Sequence, residues 1–464
     1  MIRRAGLPVA IATFAALAAG CGGKSDPEVE TVAAGAGLSE PTALAFRPDA
    51  EGELWVTNHG DDSIAIIGEA GGETTVATRR DAYAEHFVAR PDGIAFDSAG
   101  EYLAVANDSN NEVRDLRFEL NPERNRFFKD NNFMGPTLFS ASTYALAGQS
   151  KGYLDDWPQP GFGHDPPDDT PRHQCPAKYW SEEAENCVWP REGSHLDMLH
   201  GSPLAAGIAN LDGNLYFVLD GCGTRTATNS CRGDGHVVLV DFNRDHQEGN
   251  GFHGDGIIDR FIDAPFTRAE GVPSGIVEHE GSVYYADTGA GVVRRLVPDT
   301  GSREIAVGPW HPGPASHHLQ GNGVTDWADA AHGPADGDDP RAVEDWVREF
   351  GDTTLIEELG RRWIKPQETL GEYAYVLGAE GEEVISSDAI ERPAGLAASE
   401  DALYVADNAS GDVRAFAWDD LSEPAEVIET GAESLGGLAL DPSDDGSLYF
   451  TDMAGDSVGR VEVG

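Results

Sequence analysis

Short stretches of alternating apolar and polar residues recur along the chain, and each pair of stretches is joined by a short turn. One unit reads RPAGLAASEDALYVAD and ends at Asp407, and another reads VPSGIVEHEGSVYYAD and ends at Asp287. A period of two residues is typical of β-strands, because successive side chains of a strand point to opposite faces. The turns carry Gly, Asp and Ser, which favour tight reversals. Each unit therefore predicts two consecutive antiparallel strands.

Six such units are present, and each ends in Asn or Asp: Asn58, Asn107, Asp220, Asp287, Asp407 and Asp452. A polar turn and a further strand follow, as in SGDVRAFAW after Asp407. One small sheet cannot cover both of its faces, whereas sheets stacked around an axis bury them against one another. We therefore predict an all-β fold, a six-bladed β-propeller. The motif PxGIA…LYVAD resembles the NHL repeat, and this resemblance, which covers most of the chain, implies the same architecture.

Two intervals between units are too long for one blade and predict large insertions, at about residues 119–195 and 302–375. The first is rich in aromatic residues, Pro and Asp, which indicates an ordered but irregular segment. The second has apolar residues at helical spacing from Val343 to Leu359 and predicts an amphipathic helical cap. An alternative is a hidden seventh blade, because GEYAYVLGAEGEEVISS, residues 371–387, is able to form a hairpin.

The last blade is predicted to lack its own outer strand, because only one further strand fits between Asp452 and Gly464. A strand-like segment at residues 30–36 precedes the first unit. We predict that this segment pairs with the last blade and closes the ring. The propeller then spans residues 33–464.

The N-terminus has the features of a secretory signal peptide, predicted over residues 1–20. Arg3 and Arg4 precede a short apolar run, and small residues stand directly before Cys21. This cysteine resembles that of the bacterial lipobox, which implies lipidation of Cys21, with residues 21–32 as a flexible tether. The protein is then a lipid-anchored lipoprotein outside the cytoplasm, in the periplasm or at the cell surface. The alternative is an ordinary signal peptide followed by an incidental cysteine.

The composition adds a strong negative charge, since 81 acidic against 32 basic residues give a formal net charge of -49. Nucleic acid and anionic lipid headgroups are therefore poor partners for the folded body. Outside the cytoplasm, the four cysteines other than Cys21 favour disulfides, and local pairing predicts Cys175–Cys187 and Cys222–Cys231. A zinc site is the alternative, but these spacings are not of the CxxC type.

The six residues that end the units are expected to lie on one rim of the central channel. Carboxylate and amide oxygens arranged in a ring suit Ca²⁺. The alternative is structural, because Asp and Asn at strand ends also cap turns through hydrogen bonds to the backbone. Repetition of these residues in all six units favours the structural alternative.

A second candidate calcium site is a loop that opens with the pattern D-x-N-x-D. Its candidate ligands are Asp241, Asn243, Asp245, Asp255 and Asp259. The loop is not an EF-hand, because His246 stands where Gly is required and Phe252 where a carboxylate is required. The alternative is a solvated acidic hairpin between two outer strands.

A candidate transition-metal site combines His59 with the segment GSHLDMLHGSP, which contains His195, Met198 and His200. Imidazole and thioether groups suit copper or haem iron, and imidazole also suits zinc. The alternative is that Met198 packs beneath the first insertion and that the histidines form hydrogen bonds with it.

Two functions from different classes follow from these patterns. The first is a binding module that presents its channel face to a protein, a glycan or a small molecule. The second is a metal-dependent lyase or oxidoreductase with the His and Met set at the channel mouth. The zinc-binding histidines of propellers related to peptidyl-amidoglycolate lyases do not recur at matching blade entries. The asparagine motif of gluconolactonase-type propellers is also absent from the sequence, so neither resemblance supplies catalytic residues.

Overall fold

The computed structural model describes residues 29–35, 37–50, 52–70, 73–80, 88–108, 136–141, 180–181, 186–187, 193–195, 204–213, 215–221, 235–242, 257–309 and 370–463. These residues form six sheets around a central channel, so the predicted all-β, six-bladed propeller is confirmed. In the same residues, no helix has the length and apolar character needed to cross a membrane.

The first strand, β1 (Val29–Ala34), belongs to the last blade. Blade I contains, from the channel outwards, β2 (Pro41–Phe46), β3 (Leu54–Asn58), β4 (Ser63–Ala70) and β5 (Glu73–Arg80). A separate two-stranded sheet joins β9 (Trp180–Ser181) to β10 (Asn186–Cys187). Blade II contains β6 (Pro91–Phe96), β7 (Tyr102–Asn107), β8 (Thr137–Ser140) and β11 (Gly193–His195).

The remaining blades follow the same inside-to-outside order. Blade III contains β12 (Ala205–Asp212), β13 (Leu215–Asp220), β14 (Gly235–Asp241) and β15 (Ile257–Phe266). Blade III is extended outwards by β20 (Leu370–Leu377) and then β19 (Ser302–Pro309), and a short 3₁₀ helix, Pro298–Thr300, precedes β19. Blade IV contains β16 (Ile276–His279), β17 (Ser282–Asp287), β18 (Val292–Val297) and β21 (Glu380–Ile385). Blade V contains β22 (Pro393–Ala398), β23 (Ala402–Asp407), β24 (Asp412–Ala417) and β25 (Glu426–Glu429). Blade VI contains β26 (Leu435–Asp441), β27 (Asp444–Asp452), β28 (Ser457–Glu462) and β1.

The core consists of apolar clusters that lie between neighbouring blades, one cluster for each interface of the ring. Between blades I and II, for example, Trp55 packs edge-on against Phe96 with ring centroids 5.3 Å apart. The second strand of each blade has a neighbouring blade on both faces, and β17 is buried at every position. This explains why the second strands are the most apolar parts of the repeat.

The glycine of each PxG motif allows the inner strands to approach one another closely. A methyl group on Gly207 would overlap the carbonyl oxygen of Ser274, and one on Gly275 would overlap the backbone nitrogen of Leu396. Because the next blade's backbone occupies the space of a Cβ atom, the motif keeps glycine at these positions.

The ring is closed by the N-terminal strand. Strand β1 pairs antiparallel with β28, from Val29 opposite Val461 to Ala34 opposite Ser457. The predicted closure is therefore confirmed. The strand begins at Val29, so it includes the last four residues of the predicted 21–32 tether.

The structure divides the two predicted insertions differently from the sequence pattern. Strands β8 and β11 lie inside the 119–195 interval and supply the outer half of blade II. They have four and three residues, which is too short for an alternating pattern to be recognised. The 302–375 interval begins with β19 and ends in β20, and these strands pair with each other and with β15.

The alternative of a hidden seventh blade is not supported. Strand β20 pairs with β15 in the sheet of blade III, whereas β21 pairs with β18 in blade IV. The segment 371–387 therefore does not form a hairpin, because its two strands enter different sheets. The predicted helical cap from Val343 to Leu359 lies outside the described residues.

Candidate functional site

The inner strands surround a central cavity of about 470 Å³. Each second strand ends beside the start of its own inner strand, as where Asn58 pairs with Pro41 and Asn107 with Pro91. We call this the rim end of the channel; it carries the six rim residues Asn58, Asn107, Asp220, Asp287, Asp407 and Asp452. At the other end, which we call the far end, the cavity is lined by Phe46, Phe96, Asn210, Glu278 and Ala398.

The rim residues hold the loops that enter the inner strands. Asn58 Oδ1 accepts a hydrogen bond from the N–H of Ser39 at 3.2 Å. Asn107 Oδ1 accepts one from the N–H of Ala89 at 3.0 Å. The same kind of contact joins the carboxylates of Asp287, Asp407 and Asp452 to the N–H groups of Thr267, Arg392 and Ser434.

Three rim carboxylates also form ion pairs inside their own blades. These pairs are Asp220–Arg260 at 2.6 Å, Asp287–Arg294 at 2.7 Å and Asp407–Arg414 at 3.0 Å. Burial raises the pKa of Asp287 above its ordinary value, although the hydrogen bond from Arg294 opposes this. The contacts agree with the structural alternative for the rim residues, and calcium binding at the rim stays a prediction.

His59 lies at the rim end in a chain of three buried or half-buried side chains. Its Nδ1 is 2.7 Å from Asp92 Oδ1, and Arg90 Nε donates to its Nε2 at 2.8 Å. Because Arg90 only donates, Nε2 carries no proton and the Nδ1–H donates to Asp92. Burial opposes protonation of His59, but Asp92 outweighs it and raises the pKa of His59 above its ordinary value.

Arg90 is positioned by the loop between blades I and II. Its backbone has φ 46°, and its N–H donates to Asp62 Oδ1 at 2.7 Å. Glu40, one blade earlier, has φ 45° and donates in the same way to Asp456. The backbone geometry is therefore shared by the loops before blades I and II. Arg392 occupies the same repeat position in blade V, but the contact with His59 is made by Arg90.

Asp108 and Arg268 form a second charged pair at the rim end. Arg268 Nη2 is 2.9 Å from Asp108 Oδ2, although Asp108 follows β7 of blade II and Arg268 follows β15 of blade III. Arg268 crosses over Gly221, and a Cβ atom there would overlap its side chain. Asp108 Oδ1 and Arg268 Nε are both buried and make no hydrogen bond. Burial, with repulsion from Asp92, raises the pKa of Asp108 to about 7.

The candidate transition-metal ligands are only partly described. Both ring nitrogens of His59 are engaged by Asp92 and Arg90, so a metal on His59 requires one of them to move. The backbone of His195 lies in β11, while Met198 and His200 lie outside the described residues. Within the described part of the chain, no group of three or more His, Cys, Asp or Glu residues is arranged to hold a metal. The transition-metal set stays a prediction.

The candidate calcium loop is described at its two ends. Asp241 ends β14 and Asp259 lies in β15, on the same sheet face and two residues apart along the ladder. Asp259 Oδ2 accepts from Arg303 Nε of β19 at 2.7 Å, so this carboxylate holds the extension of blade III. Asn243, Asp245 and Asp255 lie outside the described residues, and the site stays a prediction.

The covalent predictions also fall mostly outside the described residues. Cys21, Cys175, Cys222 and Cys231 are not described, and of Cys187 only the backbone in β10 is. Lipidation and both disulfides therefore stay predictions.

Comparison with known proteins finds a likeness in shape and none in sequence. No family model matches the chain, and no curated protein sequence matches it. A regucalcin described as a calcium-binding protein, from Agrobacterium tumefaciens, is 11% identical, with 94% of this chain and 96% of that chain covered and a TM-score of 0.40. Streptogramin B lyase is 8% identical over 95% and 98% of the chains, with a TM-score of 0.41. A PQQ-bound aldose sugar dehydrogenase from Streptomyces coelicolor is 13% identical over 95% and 99%, with a TM-score of 0.40. Likeness at this level carries no argument about function.

Sequence reasoning found His59 but missed the residues around it. In the repeat, the middle residue of the PxG motif or its equivalent is Thr42, Asp92, Ala206, Ser274, Ala394 or Gly436. Asp92 is the only charged member of that set, so an alignment of the six repeats distinguishes it from the others. Asp108 and His59 share another repeat position, directly after the rim residue. No local signal pairs Arg268 with Asp108, because the contact joins different blades.

Proposed function

We propose that the protein is a ligand-binding module, anchored to a membrane outside the cytoplasm, that takes a small molecule into its central channel. The observation that carries this proposal is the cavity of about 470 Å³ between the inner strands. Small-molecule sites have volumes of roughly 300–1,000 Å³ and combine apolar walls with a few polar groups. The cavity is of this size, and it is lined by Ala, Ile, Leu and Phe residues together with the polar side chains of Asp92, Asn210, Ser274 and Glu278.

The side chains at the rim end support recognition of a ligand by a preformed surface. His59, Asp92 and Arg90 are held in one hydrogen-bonded chain, and Asp108 is held by Arg268. Fixed side chains reduce the entropy lost on binding. The extracytoplasmic part of the proposal rests on the signal-like residues 1–20, on Cys21 and on the resemblance of the repeats to NHL propellers.

A thermal-shift panel tests binding in the channel. The probes are spermidine, glucose and succinate, which represent amines, sugars and carboxylates. The variant Ala398→Phe narrows the far end, where Phe46 and Phe96 already occupy the same repeat position in other blades. The matched control is Ala425→Phe, an exposed alanine before β25. We expect at least one probe to raise the melting temperature of the native protein and the control but not of Ala398→Phe.

Two results contradict the proposal. In one, no probe class shifts the native protein. In the other, the shift is undiminished in Ala398→Phe, which places binding outside the channel.

A further inference from the structure

The charges along the channel are arranged in an unusual way. Among the described residues that line the cavity, two carry a charge, Asp92 at the rim end and Glu278 at the far end, and both are acidic. The wall between them is formed by the inner strands and includes Ala43, Ala95 and Ala209. The channel thus has a carboxylate at each end, and no other described side chain that lines the cavity carries a charge.

Asp92 is poised to receive a cation. Its side chain is 1% exposed, and Oδ1 accepts a hydrogen bond from Nδ1–H of His59. Asp92 lines the cavity, and among the described residues no hydrogen bond to its Oδ2 is present. Asp108 adds a second carboxylate at this end, close enough to repel Asp92 electrostatically. A buried carboxylate with one unused oxygen is stabilised by a positive group that donates a hydrogen bond.

Glu278 offers the matching group at the far end. Its Oε1 accepts the N–H of Gly281 at 2.6 Å, which orients the carboxylate and leaves Oε2 for a ligand. The residue is exposed, so that a ligand reaches it from solvent. The orientation comes from the tight turn between β16 and β17, because Glu280 and Gly281 both have positive φ.

The repeat sets the separation of the two carboxylates along the channel axis. Asp92 and Ser274 occupy the same position, directly before the glycines of their inner strands, and Glu278 follows Ser274 by four residues. Four residues of strand correspond to about 13 Å along the channel. After about 2.8 Å for each N–H···O contact, roughly 7 Å remains between the two nitrogen atoms.

We propose that the ligand is an elongated dication, an α,ω-diamine or a polyamine of similar length, with one ammonium group at Asp92 and the other at Glu278. The wall between them carries Ala side chains that contact the methylene chain, and it offers no counter-ion for an additional charge. This inference rests on the proposed ligand-binding function and names its substrate class.

Nonspecific binding of amines to the acidic surface is the competing explanation, since the chain has a net charge of -49. Such binding is screened by salt and has no preferred chain length. Binding in the channel depends on chain length, because the two ammonium groups must reach two fixed carboxylates.

Isothermal titration at about 0.15 M salt, where surface charges are well screened, tests the proposal. The ligands are diaminobutane, diaminohexane, diaminooctane and the monoamine octylamine. We expect the six- or eight-carbon diamine to bind at least about tenfold more tightly than diaminobutane, because the shorter chain reaches one carboxylate at a time.

Two variants locate the ends of the ligand. Glu278→Gln is expected to weaken binding of the preferred diamine about tenfold and to leave octylamine unchanged, because octylamine has one ammonium group. Asp92→Asn is expected to weaken binding of both the preferred diamine and octylamine. Glu429→Gln, at an exposed position of the outer strand β25, is the matched control and is expected to change neither. Because Glu278 is exposed, its variant tests the proposal even if Asp92→Asn does not fold.

The proposal is wrong if affinity does not depend on chain length, or if Glu278→Gln and Glu429→Gln have the same effect. Its failure is distinguishable from failure of the proposed function. If glucose or succinate binds in the channel and the diamines do not, ligand binding stands and the dication does not. If no probe of any class binds in the channel, both proposals fall.

Discussion

At the scale of single residues, the rim end is defined by charges that the repeat does not share. Asp108 stands where other blades carry His59, Gly221, Thr288, Asn408 or Met453. It is 3% exposed, and its ion pair with Arg268 uses one of its two oxygens. A buried carboxylate with an unsatisfied oxygen is costly when ionised. The pKa of about 7 follows from this burial and from the proximity of Asp92.

This pKa makes stability depend on pH in a direction that is opposite to the usual one for an aspartate. Asp108 has a pKa of about 7 in the folded chain, against roughly 3.9 in an unfolded chain. Its contribution to stability is therefore fully present below the unfolded value and is lost as the pH rises through the folded value. The Asp108→Asn variant has no carboxyl group at this position, so it does not lose this stability as the pH rises.

We expect the free energy of unfolding of Asp108→Asn, relative to the native protein, to rise by at least about 1 kcal/mol between about pH 5 and about pH 8. Urea denaturation at the two pH values measures this difference. The weakened contact with Arg268 lowers the stability of the variant equally at both pH values, so it drops out of the comparison. Asp299→Asn, in the exposed 3₁₀ helix, serves as the control. If the stability of Asp108→Asn relative to the native protein is the same at both pH values, the pKa of Asp108 is not raised.

At the scale of strands, the sequence pattern succeeds where a strand is long and covered on both faces. Strand β23, ALYVAD, is buried at five of its six positions, and its apolar character is plain in the sequence. Strands β8 and β11 are too short to show a period. The parallel pairing of β15 with β20 joins residues more than a hundred positions apart, and no local pattern specifies it. The site has the same limit, because Asp92 and Glu278 form a pair only across the channel.

Strand β1 provides the prediction at this scale. A chain that begins at residue 35 lacks β1 and leaves the edge of β28 without its partner. We expect its free energy of unfolding to be about 3 kcal/mol lower, because it loses several ladder hydrogen bonds that contribute roughly 0.5–1 kcal/mol each. The loss also includes Ala33, which is buried in the cluster between blades VI and I.

A chain that begins at residue 29 is the matched control, because it keeps β1 and lacks only the residues before it. Urea denaturation compares the two chains. Equal stability of the two is the result that contradicts closure of the ring by β1.

At the scale of the whole molecule, the ring closure and the predicted anchor are close together in the chain. Seven residues, 22–28, separate Cys21 from the start of β1 at Val29. Fully extended, they span about 25 Å. A lipid on Cys21 therefore holds blade VI near the bilayer, even though the acidic body is repelled by anionic headgroups. Attachment then depends on the lipid and not on the surface of the propeller.

Replacement of the predicted lipidation site tests this dependence. We expect Cys21→Ser, expressed in a bacterial host, to lose incorporation of labelled palmitate and to move from the membrane fraction to the soluble extracytoplasmic fraction. Ser25→Ala changes a neighbouring residue and is expected to behave like the native protein. Because one acyl chain adds roughly 0.8 kcal/mol per buried methylene group, its loss removes most of the membrane affinity. If Cys21→Ser stays in the membrane fraction to the same extent as Ser25→Ala, the lipid is not the anchor and another surface of the chain holds it there.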